Sequence, residues 1–123
     1  MLAVLATTSV LVAIAQGPLA YTGDPENGRR LFERRCTSCH SLETDAFGPR
    51  LGGVYGRPAG GVPTFSYSQA LRSLKFRWTE AELDVWLAGP RRMAPGAAMP
   101  ISIGDARQRA DLIAFLKRQA SGR

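Results

Sequence analysis

The sequence has few of the residues that bind metals or cross-link small proteins. Only one of its 123 residues is histidine and only two are cysteine. A structural zinc site uses about four Cys or His ligands, so a zinc site within one chain is almost excluded. The cysteines, Cys36 and Cys39, are so close in sequence that a disulfide between them would remove little entropy from the unfolded chain. A structural disulfide therefore explains them poorly.

Acidic residues and lysine are also scarce. Ten Asp and Glu residues face sixteen basic ones, of which fourteen are Arg and two are Lys, and the formal net charge is +6. Such a charge favours acidic partners without distinguishing nucleic acids, lipids and proteins. The sequence shows no recognition helix and no interleaved aromatic and basic residues. We therefore expect no binding to nucleic acid.

Charge is absent altogether from the first part of the chain, between Leu2 and Gly23. Residues 2–15 are mostly Leu, Ala, Val and Ile, and Ala13-Ile14-Ala15 has the small-x-small form that signal peptidase accepts. This apolar stretch is shorter than the roughly 20 residues that span a bilayer. We expect residues 1–20 to be a cleaved signal peptide, with a retained membrane anchor as the alternative. Both interpretations predict a periplasmic, extracytoplasmic location for the folded part.

The rest of the chain, residues 24–120, is expected to form one domain. Its length suits a single core, and the composition of 45% apolar and 21% charged residues is typical of a globular protein. Glycine and proline are concentrated in residues 48–61 and 89–104, and residues 41–63 are predicted to be loop. A small domain with so much loop needs a cross-link or a cofactor to fill its centre.

Helix signals predict an all-α fold for this domain. Asp24-Pro25-Glu26 combines a capping residue with proline at the first helical position, and this helix should continue to the cysteines. Thr79-Glu80-Ala81-Glu82 has the form of a capping box and starts a helix that should end at Gly89-Pro90. Residues 66–74 are expected to form a short helix, and Asp105 should start the last one. No stretch alternates with period two for long enough to indicate a sheet.

Both cysteines and the only histidine occur together in Cys36-Thr37-Ser38-Cys39-His40. The pattern C-x-x-C-H is typical of the attachment of a c-type haem. Thiols one helical turn apart lie on the same side of the backbone, so each can add to one of the two haem vinyl groups. The imidazole of His40 can then bind the iron. A thioredoxin-like redox pair would need a preceding strand and a mixed sheet, which the sequence does not show.

The second axial ligand of such an iron must be a residue of another type, because the chain has no second histidine. Methionine is the natural candidate, since its soft thioether favours reduced iron. Met1 belongs to the predicted leader, which leaves Met93 and Met99. Met99 lies in a segment with two prolines and a glycine, Pro95-Gly96-Ala97-Ala98-Met99-Pro100, from which a side chain can reach inward. We predict that Met99 is the ligand and that Met93 packs in the ordinary way.

Taken in order, these motifs resemble class I cytochrome c over residues 28–117. Single Gly-Pro turns or helices containing Trp are common, but several motifs in the family's order are not. Four segments are similar to the family pattern: the helix from Gly28 to the C-x-x-C-H motif, residues 48–57 with the form G-P-x-L-x-G-x-x-G-R, residues 95–99 with the form P-G-x-x-M, and the terminal helix at residues 111–117.

The resemblance implies the class I cytochrome c fold. In that fold the N- and C-terminal helices cross, here at Gly28 and Phe32, and loops wrap around one covalent haem. The family pattern also implies that the carbonyl of Pro49 accepts a hydrogen bond from the second ring nitrogen of His40. Such a bond orients a ligating histidine.

The resemblance further implies that Arg57, Tyr67 and Trp78 surround the haem propionates, whose buried charge their donors would stabilise. Trp86 occupies the place where the family often has a tyrosine whose hydroxyl bonds the methionine sulfur. That bond would be absent here or made by the indole N–H. The haem would be buried among apolar side chains, which raises the potential of the iron: Phe32, Leu51, Trp78, Leu112 and Phe115.

These features predict a one-electron carrier and not an enzyme. An iron with both axial positions filled has no place for a substrate, so it should cycle between Fe(III) and Fe(II). We expect a monomer that docks on acidic surfaces of an oxidase, reductase or dehydrogenase. Two alternatives remain, a haem enzyme or sensor with a displaceable Met ligand and a haem subunit of a larger oxidoreductase. Four arginines would steer docking: Arg30, Arg35, Arg91 and Arg92.

Overall fold

The structure is a computed structural model that describes residues 20–121. The predicted leader or anchor, residues 1–20, lies outside these residues except for Ala20. Within the described range the chain forms no β-strand, and the all-α prediction is confirmed. No helix in this range combines the length and the apolar character needed to cross a membrane. Residues 20–121 contain five helices: α1 Pro25–Arg35, α2 Gln69–Arg72, α3 Glu80–Ala88, α4 Pro90–Met93 and α5 Ala106–Ser121.

Helix α1 begins and ends as the sequence predicts. The carboxylate of Asp24 accepts hydrogen bonds from the backbone N–H groups of Glu26 (2.8 Å) and Asn27 (3.4 Å). Pro25 follows at the first helical position, where its missing N–H costs nothing. At the other end the N–H of Cys36 bonds the carbonyl of Phe32 at 2.9 Å. The first cysteine therefore directly follows the last turn of the helix.

The first and last helices cross at Gly28, as predicted. A Cβ atom added at Gly28 would lie 2.0 Å from the carbonyl oxygen of Asp111, so only glycine permits this approach. One turn later the rings of Phe32 and Phe115 pack with centroids 5.3 Å apart. Leu112 of α5 is the most deeply buried large side chain, with 1% of its surface exposed. The crossing is thus the centre of the hydrophobic core.

Three local details differ from the sequence predictions. Residues 66–74 contain only the one-turn helix α2. The hydroxyl of Thr79 bonds the carboxylate of Glu82 and does not cap the backbone of α3, so the capping box is only partly formed. Helix α4 was not predicted, because Pro90 was interpreted only as a helix stop. Proline also suits the first position of a new helix, and here it does both.

The predicted loop between His40 and Pro63 contains no helix and no strand. Several of its backbone groups are instead paired by specific hydrogen bonds: the N–H of Leu51 bonds the carbonyl of Ser41 at 2.8 Å, and the N–H of Gly56 bonds the carbonyl of Trp78 at 2.7 Å. Pro58 and Arg77 form an isolated antiparallel β-bridge. This loop forms one side of a cavity, and helices α1, α3 and α5 form the other side.

Candidate haem site

The C-x-x-C-H motif forms one further turn after α1. The backbone N–H groups of Cys39 and His40 both bond the carbonyl of Cys36, at 3.1 and 2.8 Å. Both thiols are free and half-buried, and both line the same cavity. Burial raises the pKa of the Cys36 thiol to about 11. A catalytic redox thiol requires a lowered pKa, so the protein environment does not support a thioredoxin-like role.

The imidazole of His40 has a defined orientation. Its Nδ1 lies 2.8 Å from the carbonyl oxygen of Pro49. A carbonyl can only accept, so Nδ1 carries the proton and Nε2 keeps its lone pair for a metal. Burial lowers the pKa of His40 and keeps the ring neutral. Pro49 and His40 are thus brought together in the way that the family pattern implies.

Gly48 makes this orientation possible. A Cβ atom at this position would lie 2.2 Å from Cε1 of His40 and 2.5 Å from Nδ1, which no side chain allows. The N–H of Gly48 also bonds the carbonyl of Cys39 at 2.8 Å. In the sequence, Gly48 is recognisable only as part of the G-P-x-L-x-G motif, so this steric role was not predicted. The available signal was that Gly48 directly precedes Pro49, the predicted acceptor.

The cavity beside the motif is mostly apolar. Four of the five side chains predicted to bury a haem line it, namely Phe32, Leu51, Trp78 and Leu112. Phe115 does not, because its ring packs behind Phe32 at the helix crossing. Other lining residues come from the loops and from α3, among them Phe47, Val54, Phe65, Leu71, Leu83, Trp86, Leu87, Ile101 and Ile103.

Met99 is half-buried and lines the cavity together with His40, whereas Met93 is not among the lining residues. The loop that carries Met99 is attached to α4 by one side chain. Arg91 donates through Nε to the carbonyl of Ala97 (3.2 Å) and through Nη2 to the carbonyl of Ala98 (3.4 Å). These two carbonyls immediately precede Met99, so Arg91 restrains the loop at the point where the thioether enters.

The predicted propionate-binding residues are arranged unequally. Tyr67 and Trp78 are buried and line the cavity. Arg57 lies outside the lining, and its guanidinium donates to the carbonyl of Arg50 at 2.8 Å. It is nevertheless joined to the site, because the N–H of Trp78 bonds the carbonyl of Arg57 at 2.8 Å. Trp86 also lines the cavity and packs edge-on against Trp78, with centroids 5.3 Å apart.

The residues present fit a covalently attached haem. The cavity offers broad apolar walls, two adjacent thiols, one neutral imidazole and one thioether. Nitrogen and sulfur donors of this kind suit a low-spin haem iron. Among residues 20–121 there is no cluster of three or more His, Cys, Asp or Glu side chains that would suit another metal. The fold and the site together define a small c-type haem protein.

Comparison with known proteins leads to the same class. The family model described as cytochrome c matches residues 25–120. Cytochrome c of Euglena viridis is 39% identical over 98 residues, which are 77% of this chain and 96% of that protein. The cytochrome c-type cyt cy of Rhodobacter capsulatus is 37% identical over 101 residues, or 80% of this chain and 51% of that protein. The structure of cytochrome cH from Methylobacterium extorquens is 38% identical, with a TM-score of 0.74 over 78% of this chain and 99% of that one.

The chain belongs to the cytochrome c family. It has the class I cytochrome c fold, and the predicted fold is confirmed. It is accordingly an electron-transfer protein and not an enzyme, and it carries haem c bound covalently through its two cysteines, Cys36 and Cys39.

Proposed function

We propose that this cytochrome is a one-electron carrier whose iron is held between His40 and Met99. The proposal rests on one cavity that both His40 and Met99 line. The Nδ1–H of His40 donates to the Pro49 carbonyl, which leaves Nε2 for the iron. Met99 is the only methionine among the residues that line the cavity. When bound, the haem supplies the Fe(III)/Fe(II) couple. With both axial positions filled there is no vacant site for a substrate, so the protein passes electrons without transforming a molecule.

The chain's own residues control the surroundings of that couple. Apolar walls exclude water from the cavity, which disfavours the more highly charged oxidised iron. The hydroxyl of Tyr67 accepts the N–H of Val62 at 3.0 Å and so keeps its own proton to donate to a propionate. Trp78 lines the same cavity as Tyr67, and its indole N–H is a second possible donor to a propionate. Arg57, whose carbonyl accepts the backbone N–H of Trp78, adds positive charge nearby.

We further propose that the carrier docks through the mouth of its cavity on acidic surfaces of redox partners. Arg35 is exposed and lines that mouth. The other predicted steering residues have additional contacts, since Arg30 donates to Asn27 and Arg92 donates to the carbonyl of Ala88. For the chain as a whole we propose a signal peptide or membrane anchor at residues 1–20, followed by a domain over residues 24–120. We propose that this domain lies in the periplasm, or faces it from the membrane, and that it is a monomer.

Acid–acetone extraction of the matured protein, followed by its optical spectrum, tests the haem attachment on which the proposed function depends. Produced in a host that attaches haem c, the wild type should keep its pigment through acid–acetone extraction. A variant with both Cys36→Ser and Cys39→Ser should lose it, because no thioether can form. Ser38→Ala, between the cysteines, is the matched control and should leave the pigment attached. A colourless wild type, or one whose pigment is extracted, would reject the proposal.

A second prediction concerns docking. With an acidic redox partner at low ionic strength, Arg35→Gln should lower the bimolecular electron-transfer rate several-fold, since steering by charge accelerates encounter. The difference should shrink as salt approaches 1 M, where the screening length falls to about 3 Å. Arg107→Gln removes the same charge from a residue that does not line the cavity and is the control. Equal losses in both variants, or rates insensitive to salt, would contradict local steering.

A further inference from the structure

One peptide group beside the site is hydrogen-bonded on both sides. The carbonyl of Pro49 accepts Nδ1–H of His40 at 2.8 Å, and the N–H on the other side of the same peptide bond, that of Arg50, donates to Oδ1 of Asp45 at 3.0 Å. Asp45 and His40 are therefore joined through a single amide plane. The two bonds are aligned so that each polarises the amide in the same direction.

Asp45 is held firmly in this position. Its second oxygen, Oδ2, accepts the hydroxyl of Thr64 at 2.6 Å, and only 20% of its side chain is exposed. The hydrogen bonds from Thr64 and from the N–H of Arg50 lower the pKa of the carboxyl group, so it is ionised at neutral pH. The guanidinium of Arg50 is 4.0 Å from Oδ2 and 36% exposed, so solvent weakens this ion pair, and the positive charges of Arg50 and Arg57 favour the ionised carboxylate.

We propose that Asp45 tunes the iron through the Pro49–Arg50 peptide and His40. The carboxylate attracts the amide proton of Arg50 and makes the Pro49 carbonyl a stronger acceptor, because hydrogen bonds in a chain polarise one another. A stronger acceptor for Nδ1–H increases the electron density that Nε2 of His40 donates. That density stabilises Fe(III), so Asp45 lowers the reduction potential. The inference rests on the proposed function, in which His40 binds the iron, and Asp45 acts as a positioning residue.

The simpler role for Asp45 is mechanical, because its carboxylate also joins the loop after the haem motif to the loop that carries Thr64. The two roles require different properties of the side chain. A mechanical link needs the hydrogen bonds on both oxygens, and an electronic effect needs the negative charge and the bond to Arg50. Substitutions can separate them.

Asp45→Asn keeps the shape and an oxygen acceptor for the N–H of Arg50 but removes the charge. In a potentiometric titration the Fe(II)/Fe(III) ratio at fixed ambient potential should rise at least threefold, which is a shift of about 28 mV at 59 mV per tenfold. The proton resonance of Nδ1–H in His40 should move as its bond weakens. Thr64→Val breaks the link between the loops and keeps the charge, and it should leave both readouts at the wild-type values.

Glu43→Gln removes a carboxylate from the same loop and controls for charge acting through space. An unchanged potential in Asp45→Asn, or an equal rise in Thr64→Val or Glu43→Gln, would overturn the inference. If Asp45→Asn does not mature, Asp45→Ser provides a second neutral acceptor with the same expected sign. A wild type that carries no covalent haem, or whose iron lacks an imidazole ligand, would instead reject the proposed function. The two failures are therefore distinguishable.

Discussion

Replacement of Met99 by alanine is expected to leave the haem attached while opening the sixth coordination position. Both thioethers and His40 lie outside the altered loop, so the pigment should resist acid–acetone extraction as in the wild type. The ferrous variant should bind added CO readily, whereas the wild type should resist. The reduction potential should fall by on the order of 100 mV, since axial ligands set haem potentials over a range of about 0.8 V and the lost thioether favours Fe(II).

Met93→Ala is the matched control for this experiment. Met93 is half-buried in α4 but is not among the residues that line the cavity. Its truncation should reduce stability without changing the spectrum, the CO response or the potential. Unchanged ligand exclusion and potential in Met99→Ala would contradict the assignment of the sixth ligand. A wild-type protein that itself bound CO readily would favour the alternative in which the Met ligand is displaceable.

The second large effect is expected for Gly28→Ala. In an isolated helix this change would stabilise by about 1 kcal/mol, because alanine loses less backbone freedom on folding. At the crossing of α1 and α5, however, the new Cβ would lie 2.0 Å from the carbonyl oxygen of Asp111 and 2.8 Å from Cβ of Phe115. Neither atom can move away by a side-chain rotation. Overpacking should therefore prevail and lower the free energy of unfolding by ~2 kcal/mol or more.

Denaturant unfolding of the haem-bearing protein measures this effect, and Gly104→Ala is its control. A Cβ at Gly104 would meet nothing within 4 Å, and its backbone does not have a positive φ. Its unfolding midpoint should stay close to that of the wild type. A Gly28→Ala variant as stable as Gly104→Ala would show that the two helices can separate without loss, and that the crossing does not limit stability.

Local signals in the sequence predicted the elements that depend on neighbouring residues. Asp24 and Pro25 mark the start of α1 because a helix terminus needs an acceptor for its free N–H groups and tolerates proline there. The capping box at Thr79 marked the start of α3 correctly, although its hydroxyl bonds a side chain and not the backbone. Helix α4 was missed because Gly-Pro signals both an end and a start.

By itself, the sequence determined that this protein carries a covalent haem. Two cysteines and one histidine at C-x-x-C-H spacing leave little alternative to that cofactor, and because the chain has a single histidine the sequence also predicts methionine at the sixth position. Only the tertiary structure decided which groups meet across the chain: that Phe115 packs behind Phe32, that Gly48 admits the ring of His40, and that Asp45 reaches the peptide behind that ring. Chemistry depends on residue types and near neighbours, whereas these contacts depend on backbone paths that no local pattern specifies.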